Sequence, residues 1–233
     1  MSDLRIALIS EGPTDLIVIE AALKAILQRP FYLQLLQPEP TRPDLGAGWG
    51  GVFKWCRSFQ SGGYATLMAD PKLELFDVIV LHLDADVAHT HYADYGGVFA
   101  AAAEGLSVLP CAQPCPPAAD TVMQLRAVVL DWLGLSALGP QAVLCIPSKA
   151  SEAWLAAAVL PESHPLHAHI ECNLNLEVAL SQLPKVQRIR KNQREYRSYE
   201  QTITRAWPQV CLLCEQAETF QRDIRVLDFG GTR

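Results

Sequence analysis

Three acidic groups stand where apolar runs end. Glu11 and Asp15 follow RIALIS, Asp84 and Asp86 follow DVIVLHL, and Glu152 follows VLCIPSK. Carboxylates resist burial and crowding, so several at the mouth of one sheet need a cation or a proton to hold them together. One carboxylate in a turn at Glu11 and a pair at i, i+2 after a strand suit a hard divalent ion. Mg²⁺, or Mn²⁺ in its place, takes oxygen ligands and keeps several waters. In an extended chain Asp84 and Asp86 project to one side, with Ala85 turned away. An ion held this way orients a water and neutralises charge on a scissile phosphate. Asp15 fits as a further ligand, a helix cap or a support behind the ligands. Lys149 and Ser148 close another strand, where an ammonium group reaches a phosphate oxygen. Glu152 lies one turn into the following helix, facing the same cavity.

Positioning these groups requires a particular set of elements. Residues 4–10 are an apolar run ending in EGPTD, whose Gly and Pro break the strand. LIVIEAALKAIL then reads as a helix capped by Thr14 or Asp15. FYLQLLQ (31–37) is a second strand, VFKWCRSF a short helix, and DVIVLHL (77–83) a β-branched strand suited to a sheet centre. Residues 87–118 form a long insertion and 119–133 an amphipathic helix. AVLCIP (142–147) is a strand stopped by Pro147, and a helix opens at Ser148 or Ser151. Residues 161–175 are a His- and Pro-bearing loop. Helical segments follow at 176–182 and 198–220, with a basic stretch between them. Strand and helix alternate, which predicts an α/β domain with a mainly parallel central sheet flanked by helices. Residues 1–160 form that domain and 161–233 a helical C-terminal extension. In such sheets ligands bind beyond the carboxyl ends of the strands, where the acidic groups fall.

Composition narrows the function classes. Half of the 233 residues are apolar and 19% are charged, enough for a well-buried core. No apolar stretch reaches the roughly 18 residues needed to cross a bilayer, and no secretory signal is evident, so a cytoplasmic protein is expected. The seven cysteines then read as free thiols. Cys111 with Cys115 and Cys211 with Cys214 have spacings compatible with a four-thiolate zinc site. The first pair lies in a Pro-rich loop and the second in a helical stretch, where such spacing more often fills a core face.

The net charge of −6 disfavours a protein that coats nucleic acid unaided. The basic residues are nevertheless clustered. Lys185, Arg188, Arg190, Lys191, Arg194 and Arg197 fall close together, interleaved with Tyr196 and Tyr199. They read either as a solvated helix face balanced by Glu195 and Glu200, or as an arm that tracks phosphates and stacks bases. Other patterns carry less. Gly46-x-Gly48-x-Gly50 lacks the strand that leads into a dinucleotide loop. His82 reads as a packed strand residue. His89 and His91 alternate like zinc ligands without a third partner.

Glu11 in E-G-P-T-D after a first strand, with Asp84 and Asp86 in D-A-D after a later one, resembles the Toprim domain. That metal-binding fold is shared by topoisomerases, bacterial primases and OLD-family nucleases. PSKASEAWLAA and the tail RIRKNQREYRSYEQTITRAW further resemble small stand-alone Toprim-like proteins of the DUF4276 type, found in bacterial and phage-defence contexts. The resemblance implies Mg²⁺-dependent phosphodiester chemistry on DNA or RNA, with Glu11, Asp84 and Asp86 holding the ion. By the same analogy an ABC- or SMC-like ATPase is a separate partner chain, since no G-x-x-x-x-G-K-[ST] occurs here. Self-association is a further expectation. No strand-passage domain or zinc ribbon accompanies the motifs, so a topoisomerase or primase is not indicated.

Overall fold

A computed structural model describes residues 3–39 and 46–227. Four parallel strands form one sheet in the order β2-β1-β3-β4. They are β1 (Leu4–Ile9), β2 (Phe31–Gln37), β3 (Val78–His82) and β4 (Ala142–Cys145). Around them, in chain order, lie α1 (Pro13–Leu27), α2 (Gly48–Gln60), α3 (Gly97–Ala102), α4 (Ala119–Leu133), α5 (Glu152–Val159), α6 (Leu176–Gln182), α7 (Gln193–Leu213) and α8 (Glu215–Arg225). The α/β architecture expected from the alternation is therefore present. The 119–133 and 176–182 helices match their expected bounds. The single helix expected over 198–220 is instead two, α7 and α8, and α7 begins within the basic stretch.

Strand periodicity divides the core in two. In β1, Leu4, Ile6 and Leu8 face one side of the sheet, where α1, α5, α7 and α8 pack. Ala7 and Ile9 face the other side, with α2 and α4. In β3, Val78 and Val80 share the first side and Ile79 and Leu81 the second. This two-residue alternation is the pleat of a strand covered on both faces. The helices after residue 161 share the first core: Tyr196, Ile203, Trp207, Val210, Phe220 and Ile224 are all buried there. They complete that layer of the sandwich.

The second core is aromatic. Phe53, Phe99 and Trp132 pack around Trp49 and Tyr92, edge-on or tilted except for Trp132, which stacks on Trp49. Trp132 Nε1 donates to the Tyr92 hydroxyl at 2.8 Å, which donates in turn to the Ser107 carbonyl at 2.8 Å. These contacts hold the 87–118 insertion to the sheet. Its far end is tied down covalently by a disulfide between Cys115 and Cys172. This corrects the expectation that all cysteines are free thiols. It also removes Cys115 from any four-thiolate zinc site. Cys56, Cys145 and Cys214 are buried free thiols, as small apolar residues often are. No helix among the described residues is long and apolar enough to cross a membrane.

Candidate metal centre

The strand order places β1 between β2 and β3, so the chain leaves β1 in one direction and returns on its other side. The crevice between β1 and β3 is the switch point where such sheets bind ligands. Ile9 and Leu81 are paired at that edge, and His82 pairs with Cys145 of β4. Glu11 leaves β1 there, and its Oε1 accepts the backbone N–H of Asp84 at 2.8 Å. The loop after β3 is then stitched to the loop after β4. Ala85 N–H donates to Pro147 O at 3.1 Å, and Asp86 N–H to Lys149 O at 2.9 Å. Two helices open onto the same point. α1 carries Asp15 in its first turn behind Pro13, and α5 starts at Glu152. Helix N-termini favour carboxylates through unpaired N–H groups and the helix dipole.

Asp15, His82 and Asp84 each present a ligand atom within 4.8 Å of the others. All three are buried. His82 follows Val78 and Val80 on the face of β3 that meets α1 and α5, which is why its ring meets Asp15. Its Nε2 lies 3.1 Å from Asp84 Oδ1, yet neither ring nitrogen has an aligned hydrogen-bond partner. Ser151 organises the two aspartates. Its hydroxyl donates to Asp15 Oδ1 at 2.7 Å and its backbone N–H to Asp84 Oδ1 at 3.0 Å. Glu152 is fully buried beside them. Its Oε1 accepts from the Tyr196 hydroxyl at 2.7 Å and lies 3.0 Å from Lys191 Nζ, while its Oε2 has no partner. Buried polar atoms without partners are uncommon, and a water or an ion is one way to satisfy them.

The electrostatics follow from this crowding. Burial lifts the Asp84 carboxyl to about 7, with Asp15 and Glu152 adding and His82 opposing. Glu11 is raised well above the carboxylate range by loss of solvent and by Asp84, Asp15 and Asp86, against the Asp84 N–H. Burial works against a charged His82, but Asp84, Asp15 and Glu152 outweigh it and raise its pKa. Carboxylates held this high release protons when a cation binds.

The other expected ligands stand around this cluster. A 3₁₀ turn (Ala85–His89) begins directly after Asp84, so the two-residue alternation of an extended chain does not relate Asp84 to Asp86. Asp84 is buried, whereas Asp86 sits at the rim, its carboxyl lifted to about 6 chiefly by lost hydration, with Lys191 opposing. Neither Asp86 nor Glu11 belongs to the tight cluster among the described residues. Lys149 is buried at the same rim, with Nζ 3.1 Å from His89 Nε2. Its pKa is lowered by burial, against the attraction of Asp86.

The basic arm is split. Lys191 turns inward to Glu152 and Glu177. Arg197 pairs with Glu20 of α1 and Glu200 of α7. Arg188 Nε donates to the Leu183 carbonyl at 3.1 Å. Lys185, Arg190 and Arg194 are exposed. His82 and Ser151 are the site residues that sequence reasoning passed over. The signal for His82 was a polar residue inside an otherwise apolar strand.

Gly48 and Gly50 belong to this edge as packing elements. Gly48, at φ +70°, donates its N–H to the Glu11 carbonyl at 2.8 Å. A Cβ on Gly50 would meet the Tyr95 ring at 2.5 Å. The glycines let the start of α2 approach Glu11 and Tyr95, a role that requires no dinucleotide.

The donor set, two buried aspartates and a buried imidazole, fits a divalent cation such as Mn²⁺ or Mg²⁺. In comparison with known proteins, no family model, no curated protein and no solved structure matches this chain.

Proposed function

We propose that this chain is a metal-dependent nuclease of the Toprim type, cleaving phosphodiester bonds in DNA or RNA. The observation that carries the reading is the convergence of Asp15, His82 and Asp84 at the β1–β3 crevice, all three buried and with ligand atoms within 4.8 Å of one another. A bound ion would supply charge neutralisation at a phosphate and an activated water. His82 favours Mn²⁺ over Mg²⁺ among the hard ions, since imidazole suits the softer metal. Asp15, His82 and Asp84 hold the ion. Glu11 orients the Asp84 backbone, and Asp86 at the rim is placed to order a water. Lys149, at the rim, offers a cation for a non-bridging phosphate oxygen. Lys185, Arg190 and Arg194 are the exposed cations available to the nucleic acid backbone. The acidic net charge supports a partner that supplies targeting, an ABC- or SMC-like ATPase in an anti-phage setting. Such a system acts in the cytoplasm, where the Cys115–Cys172 bond would be open to reduction.

The test is cleavage of plasmid DNA and of RNA by the purified chain with Mg²⁺ or Mn²⁺, alone and with its genomic-neighbour ATPase. Metal-dependent cleavage that Asp84→Ala and Glu11→Ala abolish is the expected result. Cleavage absent under all these conditions sinks the nuclease reading. Cleavage that persists in both variants sinks the site assignment. A second reading, a module that holds a structural cation and regulates an ATPase, is favoured by the depth of the cluster, with Asp15 and Asp84 only 3% and 5% exposed. It predicts tight metal binding without turnover.

A further inference from the structure

β2 is an edge strand, and no further strand pairs with it among the described residues. Unpaired N–H and C=O groups on an edge template another strand, so monomeric proteins keep edges short, charged, interrupted or covered. The opposite edge obeys this: β4 has four residues and is mostly buried. β2 does not. It runs for seven residues, Phe31–Gln37, with no charge and no proline. Its pairing with β1 is regular from Phe31 to Leu35 and shifts only afterwards.

The side chains add a projection and a recess. Tyr32 is 59% exposed. Register pairs Tyr32 with Arg5 and Gln34 with Ala7, so both lie on the face covered by α2. On that face, beside the strand, is a cavity of about 570 Å³ lined by Gln34, Leu36, Trp55, Phe59, Tyr64 and Asp70. This volume is within the roughly 300–1,000 Å³ of a side-chain or ligand pocket.

We propose that two copies of this chain pair β2 to β2, antiparallel about a two-fold axis at Leu33. The four strands of each copy then continue as one sheet of eight. Leu33 is the midpoint of the regular stretch. About it, Phe31 faces Leu35 and Tyr32 faces Gln34 of the other copy. Directly opposed residues stand about 5 Å apart on one face of the sheet. Each Tyr32 thus arrives at the wall of the other copy's cavity, its ring toward Trp55 and Phe59 and its hydroxyl with Asp70 as a candidate acceptor. Projection and recess belong to the same chain and recur about the axis, the self-complementarity an isologous interface needs. The uncharged strand sets no like charges across it. These features favour a second copy over a foreign extended segment. The inference is independent of the metal centre.

The experiment is sedimentation velocity on the full chain over about 1 to 100 µM, the range where modest interfaces dissociate. The wild type is expected as a dimer. Tyr32→Lys is expected to raise the dissociation constant by at least about tenfold. Adding Gln34→Glu is expected to restore the dimer, because each lysine then faces a glutamate of the other copy. Both positions are exposed, so circular dichroism of the variants should match the wild type. A wild type that is monomeric throughout overturns the proposal and leaves the edge to another protein's strand. A dimer unchanged by Tyr32→Lys also overturns it. Failure of the double variant to restore pairing overturns the Tyr32–Gln34 register.

Discussion

Lys191 Nζ lies 3.0 Å from Glu152 Oε1, so a basic residue of the C-terminal segment neutralises a carboxylate at the mouth of the sheet. Glu152 has no solvent to screen it. Removing one member of such a pair leaves an uncompensated buried charge, at about 3–5 kcal/mol when both are buried. Lys191 is partly exposed, so Lys191→Met is expected to cost about 2 kcal/mol in urea unfolding. Glu152→Gln in the same background should recover at least half of that loss. Additive losses would show that the pair is not coupled.

The metal-free centre should make stability depend on pH with a definite sign. Asp84 titrates near 7 in the folded chain against an ordinary value of 3.8. Between these values the folded state holds a proton that the unfolded state has released. Stability from this group is therefore full at low pH and is lost as pH rises through 7. From about pH 6 to about pH 8 the loss is on the order of 1 kcal/mol for Asp84 alone. Thermal unfolding without metal should show the decline, Mn²⁺ should reverse it most strongly at the higher pH, and Asp84→Asn should flatten it.

Ser151 supports both aspartates by different groups, which allows its hydroxyl to be isolated. Ser151→Ala keeps the backbone N–H that holds Asp84 and removes only the hydroxyl donated to Asp15. Groups that orient metal ligands are worth about 10–100-fold in affinity. Titration calorimetry with Mn²⁺ should show a loss in that range with the fold intact. Unchanged affinity would remove Asp15 from the ligand set.

The arm should divide in binding as it does in structure. Arg197 is engaged with Glu20 and Glu200, and Lys24 of α1 joins the same carboxylates. Arg197→Ala is expected to change stability by no more than about 1 kcal/mol, as exposed pairs do, and to leave nucleic acid affinity unchanged. Combined alanine substitution of Lys185, Arg190 and Arg194 should weaken binding and reduce the salt dependence by about three counterions. A filter-binding series across salt concentrations separates these outcomes.

Much of the fold was legible because its signals are local. β1, β3 and β4 are apolar runs stopped by Gly, Pro or acidic residues, and helices 119–133 and 176–182 follow their own periodicity. Glu11, Asp15, Asp84 and Glu152 were legible as chemistry, since carboxylates after strands have few structural uses. Tertiary structure alone decided which of them converge. A turn beginning at Ala85 sends Asp84 inward and Asp86 to the rim, which the i, i+2 spacing of an extended chain hides. His82 and Ser151 join only because β3 and the start of α5 meet α1 on one face of the sheet. Lys191 and Tyr196 reach Glu152 from more than thirty residues away through packing of α7 on α5. Such pairings depend on three-dimensional closure, and spacing along the chain does not encode them. The disulfide is hidden from the sequence for the same reason: Cys115 meets Cys172 across 57 residues, a distance that no local pattern spans.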